Sequence, residues 1–199
     1  MASPAADPPA GLTARQDLRR RLIAAREALA PPRHAELSAA LARHLLPLLD
    51  VLAPRCVGFY WPYRAEFDAR GIIGAWLAAH AGRCAALPLA LAPATPLEYR
   101  AYAPGCPLAP DRHGIPYPTE GAPVQPDLLL VPCNGFDAHG YRIGYGAGYF
   151  DRTLAALSPR PVTLGIAFEL ARLAQLASAP HDIPLDWLVT EAGARPALR

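Results

Sequence analysis

The chain has 199 residues, a formal net charge of +2 and 19 basic side chains, all of them arginine. The absence of lysine excludes a Schiff-base enzyme and a Walker A phosphate loop, because both need an ammonium group that the planar guanidinium cannot replace. Only 18% of the residues are charged, with the two signs nearly in balance. This composition argues against a nucleic-acid-binding surface and favours small anions as ligands.

A chain of this length, 52% of it hydrophobic, predicts one compact domain over residues 13–199. Residues 1–12 are rich in alanine and proline and lack a basic start and an apolar run, so we expect a disordered lead and no targeting signal. Apolar stretches are too short to span a membrane. Four widely spaced cysteines without a C-x-x-C pair favour reduced thiols in a cytoplasmic protein. We expect a monomer without nucleic-acid or membrane partners.

Hydrophobic periodicity predicts alternating helices and strands, the first helix beginning at a capping box formed by Thr13 and Gln16. The expected helices cover roughly 14–29, 32–50, 68–82, 150–157 and 169–176, and the expected strands cover 55–60, 83–87, 97–102, 127–131, 162–167 and 187–190. The segment 103–126, dense in proline and glycine, is expected to wrap the surface, and 127–131 is typical of a central strand. The pattern predicts an α/β fold, a single-domain three-layer sandwich with a mostly parallel central sheet and helices on both faces.

A glycine-rich turn joins the predicted central strand to the next helix. Gly144, Gly146 and Gly148 alternate there, so the backbone can approach a ligand closely while the helix amides point at the same place, a geometry that suits phosphate oxygens. The spacing is G-x-G-x-G, which fits neither a Rossmann fingerprint nor a Walker loop. A nicotinamide dehydrogenase is therefore disfavoured.

Charged residues flank this turn. Arg142 and Arg152 could bind phosphate through charge-assisted hydrogen bonds, or they could be solvated arginines beside an ordinary turn. Asp151 could cap the helix, or it could bind a Mg²⁺ ion that bridges phosphate oxygens. The turn alone leaves these alternatives open.

The whole segment 131–152 resembles the signature of the 5-formyltetrahydrofolate cyclo-ligase family: a strand ending Val-Pro, then Phe-Asp-x-x-Gly-x-Arg, then Gly-Tyr-Gly-Gly-Gly-Tyr-Tyr-Asp-Arg. Further matches follow the family's order along the chain, namely Arg15 with Leu18-Arg19, Glu66-Phe67-Asp68, Gly114-Ile115-Pro116-Tyr117-Pro118, Pro180-His181-Asp182 and Thr190-Glu191. Several matches in the right order are far more specific than one loop.

The chain also departs from the family pattern. Arg15 stands where the family usually has lysine, Ala147 replaces a glycine, Tyr117 replaces a glutamate, and Cys133-Asn134-Gly135 replaces a more usual Gly-Leu/Val-Ala/Cys run. Arg15 keeps the positive charge and can grip a phosphate with two bonds. The departures put substrate affinity in question more than reaction type.

The resemblance implies ATP- and Mg²⁺-dependent conversion of 5-formyltetrahydrofolate to 5,10-methenyltetrahydrofolate, with Arg142 and Tyr149 as catalytic residues. The residues it implies for ATP are Arg15, Arg19, Arg142, Gly144, Tyr145, Gly146, Ala147, Gly148, Tyr149 and Phe150. Those implied for the folate are Trp61, Glu66, Tyr145, Gly146 and Tyr149. Asp151 and Asp182 are the implied Mg²⁺ ligands.

Simpler interpretations of these residues stand beside the implied ones. Arg15 and Arg19 could form a solvated basic helix face, and Asp182 could belong to a turn before Pro184. Trp61 could be a core residue and Glu66 a residue at a helix entry. The alternative for the whole protein is a non-catalytic ATP- or folate-binding paralogue that keeps the glycine loop without turnover.

Overall fold

A computed structural model describes the backbone of residues 10–199 and the side chains from Ala14 onward. The α-helices are α1 Ala10–Glu27, α2 Pro31–Leu52, α3 Arg70–Ala79 and α4 Tyr149–Ala156, and a 3₁₀ helix covers Glu169–Ala171. The strands are β1 Cys56–Gly58, β2 Cys84–Leu89, β3 Glu98–Tyr102, β4 Leu108–Pro110, β5 Pro116–Pro118, β6 Leu128–Pro132, β7 Gly135–Phe136, β8 Arg142–Ile143, β9 Val162–Ile166, β10 Trp187–Thr190 and β11 Gly193–Pro196.

A seven-stranded sheet in the order β11-β10-β9-β6-β1-β2-β3 forms the centre of the fold. The pairings from β10 across to β2 are parallel, and the two edge strands, β11 and β3, pair antiparallel with their neighbours. The apolar run predicted as a central strand is β6, the middle strand of the seven. The mostly parallel sheet that the sequence predicts is confirmed.

Alternate residues of β6 are buried on opposite faces of the sheet, as the period of two in a strand requires. Leu128 and Leu130 pack in the core that α2 and α3 cover. Leu129 and Val131 pack in a second core with Leu154 of α4. Helices therefore cover both faces, and the predicted three-layer sandwich is confirmed.

Helix α2 shows how the leucine pattern produces this packing. Prolines occupy its first positions, where their missing amide costs no hydrogen bond, and Ala53 ends it in a left-handed conformation with φ 48°. The leucine stripe predicted from the sequence is buried, at positions Leu37, Leu41, Leu45 and Leu48.

Asp68 lies just before α3, and its carboxylate accepts the Arg70 amide at 3.0 Å.

Several local predictions need correction. Helix α1 already includes residues 10–12, so Thr13 lies inside it and the predicted capping box is wrong; the remainder of the expected disordered lead, residues 1–9, lies outside the described residues. The predicted helix over 169–176 is a single 3₁₀ turn at Glu169–Ala171. Beyond that turn the Leu173 amide donates to the Phe136 carbonyl and the Leu176 amide to Asp137, so contacts with the β7–β8 hairpin replace helical hydrogen bonds.

The strand order places a topological switch point between β1 and β6. From β1 the chain continues to β2 on one side, and after β3 it returns to β6 on the other side of β1. The loops that leave the carboxyl ends of two such strands diverge and open a crevice, which is where open α/β sheets bind ligands. The loop from Phe59 to Ala69 leaves β1, and the loop from Cys133 leaves β6.

All four cysteines are free thiols. None of the helices over residues 10–199 is long and apolar enough to cross a membrane.

Candidate active site

The glycine-rich loop lies between β8 and α4, where it meets α1. Gly146 has φ +96° and Gly148 has φ +68°, conformations that favour glycine. A Cβ at Gly146 would lie 3.1 Å from an Arg19 nitrogen, and one at Gly148 would lie 2.8 Å from Nη1 of Arg152. Two guanidinium groups therefore pack directly on the loop backbone. Ala147 has no such positive φ, so its extra methyl is accommodated without strain.

Arg19 and Arg152 hydrogen-bond to the loop but form no ion pair with a carboxylate among the described residues. Arg19 Nε donates to the Gly144 carbonyl at 2.6 Å, and Arg152 Nη2 donates to the Ala147 carbonyl. Partial burial and the nearby charge of Arg15 lower the pKa of Arg19. The Nε of Arg152 is buried without a hydrogen-bond partner. Positive charge at this loop is thus uncompensated, which suits an anion.

Arg15 and Arg142, by contrast, are paired with carboxylates. Arg15 Nη1 lies 3.0 Å from Asp182 Oδ2, and its Nη2 donates to the Arg142 carbonyl at 3.2 Å. Arg142 is buried, with Nη2 at 2.8 Å from Asp151 Oδ1 and Nη1 donating to the Ile183 carbonyl at 2.7 Å. The structure therefore brings Arg15, Arg142 and both predicted metal ligands together beside the glycine loop.

Asp151 and Asp182 are the carboxylates here that could contribute to a Mg²⁺ site, with phosphates and water as its other ligands. Oδ1 of Asp151 accepts from Arg142 and from the Ile183 amide, which leaves Oδ2 without a hydrogen bond from the described residues. Burial tends to raise the pKa of Asp182, but hydrogen bonds from the Ala179 amide and Arg15 outweigh it and lower that pKa. No group of three or more His, Cys, Asp or Glu side chains in the described part of the chain could hold a metal alone.

On the other side of the loop, Tyr145 meets Glu66. The Tyr145 hydroxyl donates to Glu66 Oε1 at 2.8 Å, and the Tyr63 amide donates to Oε2 at 2.9 Å. Burial raises the pKa of Glu66, opposed by the Arg26 charge and the hydrogen bonds from Tyr145 and Tyr63. Burial, with the nearby Glu66 charge, also raises the pKa of Tyr145. A carboxylate on the β1 loop thus contacts the same loop that carries the glycines.

Arg26 and Asn134 complete this cluster, and the sequence analysis assigned neither to the site. Arg26 is 6% exposed, and its Nη1 donates to Asn134 Oδ1 at 2.9 Å and its Nη2 to the Tyr145 hydroxyl at 3.1 Å. The sequence does contain a signal that points to Arg26. At 100° per residue, positions 15, 19 and 26 share one face of α1, so Arg26 lies on the same face as the two arginines implied for ATP.

The remaining predicted residues occupy the edges of this region. Tyr149 begins α4, and its hydroxyl donates to the Ala92 carbonyl at 3.3 Å and lies 3.0 Å from His113 Nε2. Trp61 packs partly against the main core and carries Arg70 over its ring at 4.4 Å; no hydrogen bond or ring contact joins it to Glu66 in the described part of the chain. Tyr63, which the sequence analysis did not select, has its ring 5.8 Å from that of Tyr145.

Other parts of the recognised signature have a structural explanation. Asp137 is fully buried, and its carboxylate accepts the amides of His139, Tyr141 and Leu176 at 3.0, 3.1 and 2.9 Å. It holds the β7–β8 hairpin against the chain that follows the 3₁₀ helix. Phe150 of α4 packs against the second core.

The fold agrees with comparisons to known proteins. A family model described as the 5-formyltetrahydrofolate cyclo-ligase family matches residues 12–191. The chain belongs to this family. The resemblance inferred from the sequence motifs is thereby confirmed.

Individual members of the cyclo-ligase family show the extent of the likeness. The 5-formyltetrahydrofolate cyclo-ligase of Escherichia coli K12 is 30% identical over 176 residues, which cover 83% of this chain and 93% of that protein. The enzyme of that name from Mycoplasma pneumoniae is 38% identical over 69 residues, 35% of this chain and 42% of the relative. The NMR structure of Aquifex aeolicus 5,10-methenyltetrahydrofolate synthetase superimposes with a TM-score of 0.79 at 28% identity, covering 93% of each chain.

Proposed function

We propose that this cyclo-ligase family member converts 5-formyltetrahydrofolate and ATP to 5,10-methenyltetrahydrofolate, ADP and phosphate. The observation that supports this most strongly is the hydrogen bond from Tyr145 to Glu66. It joins the glycine loop, with its uncompensated arginines, to a buried carboxylate on the β1 loop. The proposed phosphate-binding loop and the proposed acceptor for the N–H groups of a pterin are thus in direct contact, which supports a reaction between two substrates at this place.

The reaction needs activation of a poor leaving group. Attack of the formyl oxygen on the γ-phosphorus of ATP releases ADP and gives an iminium phosphate. The neighbouring N10 amine of the folate then attacks the formyl carbon, its proton is lost, and the carbon–oxygen bond breaks to release phosphate. Substrate groups make every covalent bond, so the protein supplies position and charge stabilisation and needs no nucleophilic side chain.

Residues on α1 and the glycine loop would bind the triphosphate. Arg19 and Arg152 can turn from loop carbonyls to phosphate oxygens without breaking an ion pair, and the backbone from Gly144 to Gly148 leads into the N-terminus of α4. Arg15 would contribute a further positive charge. Arg142 would act mainly by holding Asp151, and Tyr149 would lie beside the transferred phosphoryl group.

Asp151 and Asp182 are the residues that would hold Mg²⁺, which when bound neutralises charge on the triphosphate. For this role Asp182 would exchange part of its contact with Arg15 for the ion. Glu66, in its ionised form, would accept hydrogen bonds from the amino and ring N–H groups of the pterin. Trp61 would pack nearby.

The near-ultraviolet absorbance of the methenyl product tests this proposal. Folded protein with 5-formyltetrahydrofolate, ATP and Mg²⁺ should produce that absorbance, and omission of ATP should abolish it. Release of one ADP per product molecule should accompany the signal. Binding of both substrates without an absorbance change would instead identify a non-catalytic paralogue.

A further inference from the structure

Arg26 is a buried cation that lies one layer behind the proposed folate site. Its guanidinium donates three hydrogen bonds, to the Arg64 carbonyl at 3.0 Å, to Asn134 Oδ1 at 2.9 Å and to the Tyr145 hydroxyl at 3.1 Å. Its Nη2 also lies 3.9 Å from Glu66 Oε1. One side chain of α1 therefore contacts the loops that leave β1 and β8 and the two-residue connection between β6 and β7.

The turn before Glu66 needs such support. Arg64 and Ala65 both have left-handed backbones, with φ 51° and 56°, although neither is glycine. Consecutive non-glycine residues in this conformation persist only where surrounding contacts hold them. Arg26 holds the Arg64 carbonyl from the interior, and His34 Nε2 donates to the Ala65 carbonyl at 3.0 Å. The position of Glu66 thus depends on contacts from the first two helices.

Asn134 is the second unusual feature. It is 2% exposed and stands where the family usually has leucine or valine. Since Oδ1 accepts from Arg26, the amide nitrogen Nδ2 faces away, and it is buried without a hydrogen-bond partner. An orphaned buried donor costs stability, whereas an apolar residue at the same position would not. The hydrogen bond from Arg26 to Asn134 Oδ1 is the favourable contact that accompanies this loss of stability.

We propose that Arg26, oriented by Asn134, is a positioning residue that holds Glu66 and Tyr145 in the arrangement that receives the pterin of the folate. This inference rests on the proposed function for the identity of the ligand. Arg26 itself touches no substrate. Its carbonyl, amide and hydroxyl partners fix three backbone segments relative to one another, and its charge favours the ionised form of Glu66 that accepts pterin N–H groups.

The electrostatic surroundings of Glu66 support this role. Burial raises the pKa of Glu66, and Arg26 is the cation that opposes the shift. The other titratable groups that act on or respond to this carboxylate are Tyr145, Tyr60 and Cys133. Burial raises the pKa of each of these three groups, so all are neutral at physiological pH. Among these charged and titratable groups, Arg26 is therefore the one whose positive charge favours the ionised form of Glu66.

Binding of 5-formyltetrahydrofolate, measured by calorimetry without ATP between pH 5.5 and 9, tests the charge of Arg26. Arg26→Met should weaken binding about tenfold at pH 7, as expected for loss of hydrogen bonds from a charged group. Because the Glu66 pKa should rise further, binding should recover as the pH increases. Arg26→Lys should keep the wild-type pH dependence with looser binding. The exposed Arg21→Met on the same helix is the matched control and should bind like the wild type.

Asn134→Leu separates positioning from simple structural support. It restores the family's residue and removes the orphaned amide of Asn134 but leaves Nη1 of Arg26 without its acceptor, so its melting temperature should stay close to that of the wild type. Its KM for the folate should nevertheless rise several-fold while its KM for ATP stays constant. A lower melting temperature with unchanged folate affinity would show a merely structural residue and would overturn the inference.

One readout does not depend on the proposed reaction. The pKa of Glu66 in the ligand-free protein, followed by NMR of its side-chain carboxyl carbon, should be higher in Arg26→Met than in the wild type and nearly unchanged in Arg26→Lys. An unchanged pKa in Arg26→Met, or wild-type folate affinity in that variant, would refute the inference even if the enzyme is fully active. A wild type that binds the folate without turnover would refute the proposed function alone.

Discussion

The arginines of the site divide into two kinds by the partners that each side chain has. Arg15 and Arg142 lie in ion pairs with Asp182 and Asp151. Arg19 and Arg152 donate to loop carbonyls only, without a carboxylate partner among the described residues. Loss of a paired, buried arginine leaves its carboxylate partner without a counter-charge and destabilises the fold. Loss of an arginine without a carboxylate partner removes only a positive charge that could bind an anion. The two kinds should therefore differ in their effects on stability and on ATP affinity.

We predict that Arg19→Met and Arg142→Met differ in their effects on the stability of the protein. Arg19→Met should leave the melting temperature nearly unchanged or raise it, because it removes repulsion with Arg15, and should increase the KM for ATP about tenfold. Arg142→Met should cost about 3 kcal/mol of stability by breaking the buried pair with Asp151. Thermal melts and ATP titrations of the two variants measure this difference. Equal loss of stability in both would show that Arg19 is also structural.

The sequence could predict the residues of this site that belong to its signature, but not how their charges are arranged. Arg15, Arg19, Arg142, Asp151 and Asp182 are found together, as the family resemblance implied. The pairing of Arg15 with Asp182 depends on a tertiary contact between positions 167 residues apart, which no local pattern predicts. Arg26 was missed because arginine is usually exposed, so its residue type does not predict a buried side chain.

At the scale of elements, the junction between the glycine loop and α4 determines how the loop backbone lies. Gly148 is the N-cap of α4 in a left-handed conformation, and no side chain caps the helix. The first amides of α4 are thus left to a ligand or to water. Gly144 differs from Gly148, because a Cβ there would meet nothing within 4 Å.

Gly148→Ala should damage this junction more than Gly144→Ala. The new methyl at Gly148 would be strained by its φ of +68° and would press on Arg152, at 2.8 Å from Nη1. We expect a stability loss of about 1 kcal/mol and a clear rise in the KM for ATP. Gly144→Ala should change the KM for ATP by a much smaller factor. Similar effects of the two substitutions would contradict the proposed role of the Gly148 conformation.

Elements with strong periodicity were predicted correctly, whereas the short hairpin strands were not predicted. The leucine stripe of α2 and the apolar run of β6 repeat often enough to specify one structure. The hairpins β4–β5 and β7–β8 have strands of two or three residues, too short for any period to show. The 3₁₀ helix at Glu169–Ala171 was predicted too long because its sequence is helix-compatible, while hydrogen bonds to Phe136 and Asp137 determine its end.

At the scale of the whole molecule, α1 is attached to the sheet differently from α2. Among the described side chains, Ile23 is the only buried apolar residue of α1, whereas α2 buries five leucines. Much of the remaining attachment of α1 consists of the hydrogen bonds of Arg15, Arg19 and Arg26. Both proposed substrates would bind where these arginines reach the loops. The stability of α1 should therefore depend on ligands more than that of any other helix.

Hydrogen exchange followed by mass spectrometry tests this dependence. In the free protein, amides of α1 should exchange faster than those of α2, because regions with little buried apolar surface open locally at lower free energy. A non-hydrolysable ATP analogue with Mg²⁺ and 5-formyltetrahydrofolate should slow exchange in α1 about tenfold or more and leave α2 nearly unchanged. Arg19→Met should lose the part of this protection that the ATP analogue provides, and Asn134→Leu the part that the folate provides. Protection confined to α4, with α1 unaffected, would show that the ligands bind without engaging the arginines of the first helix.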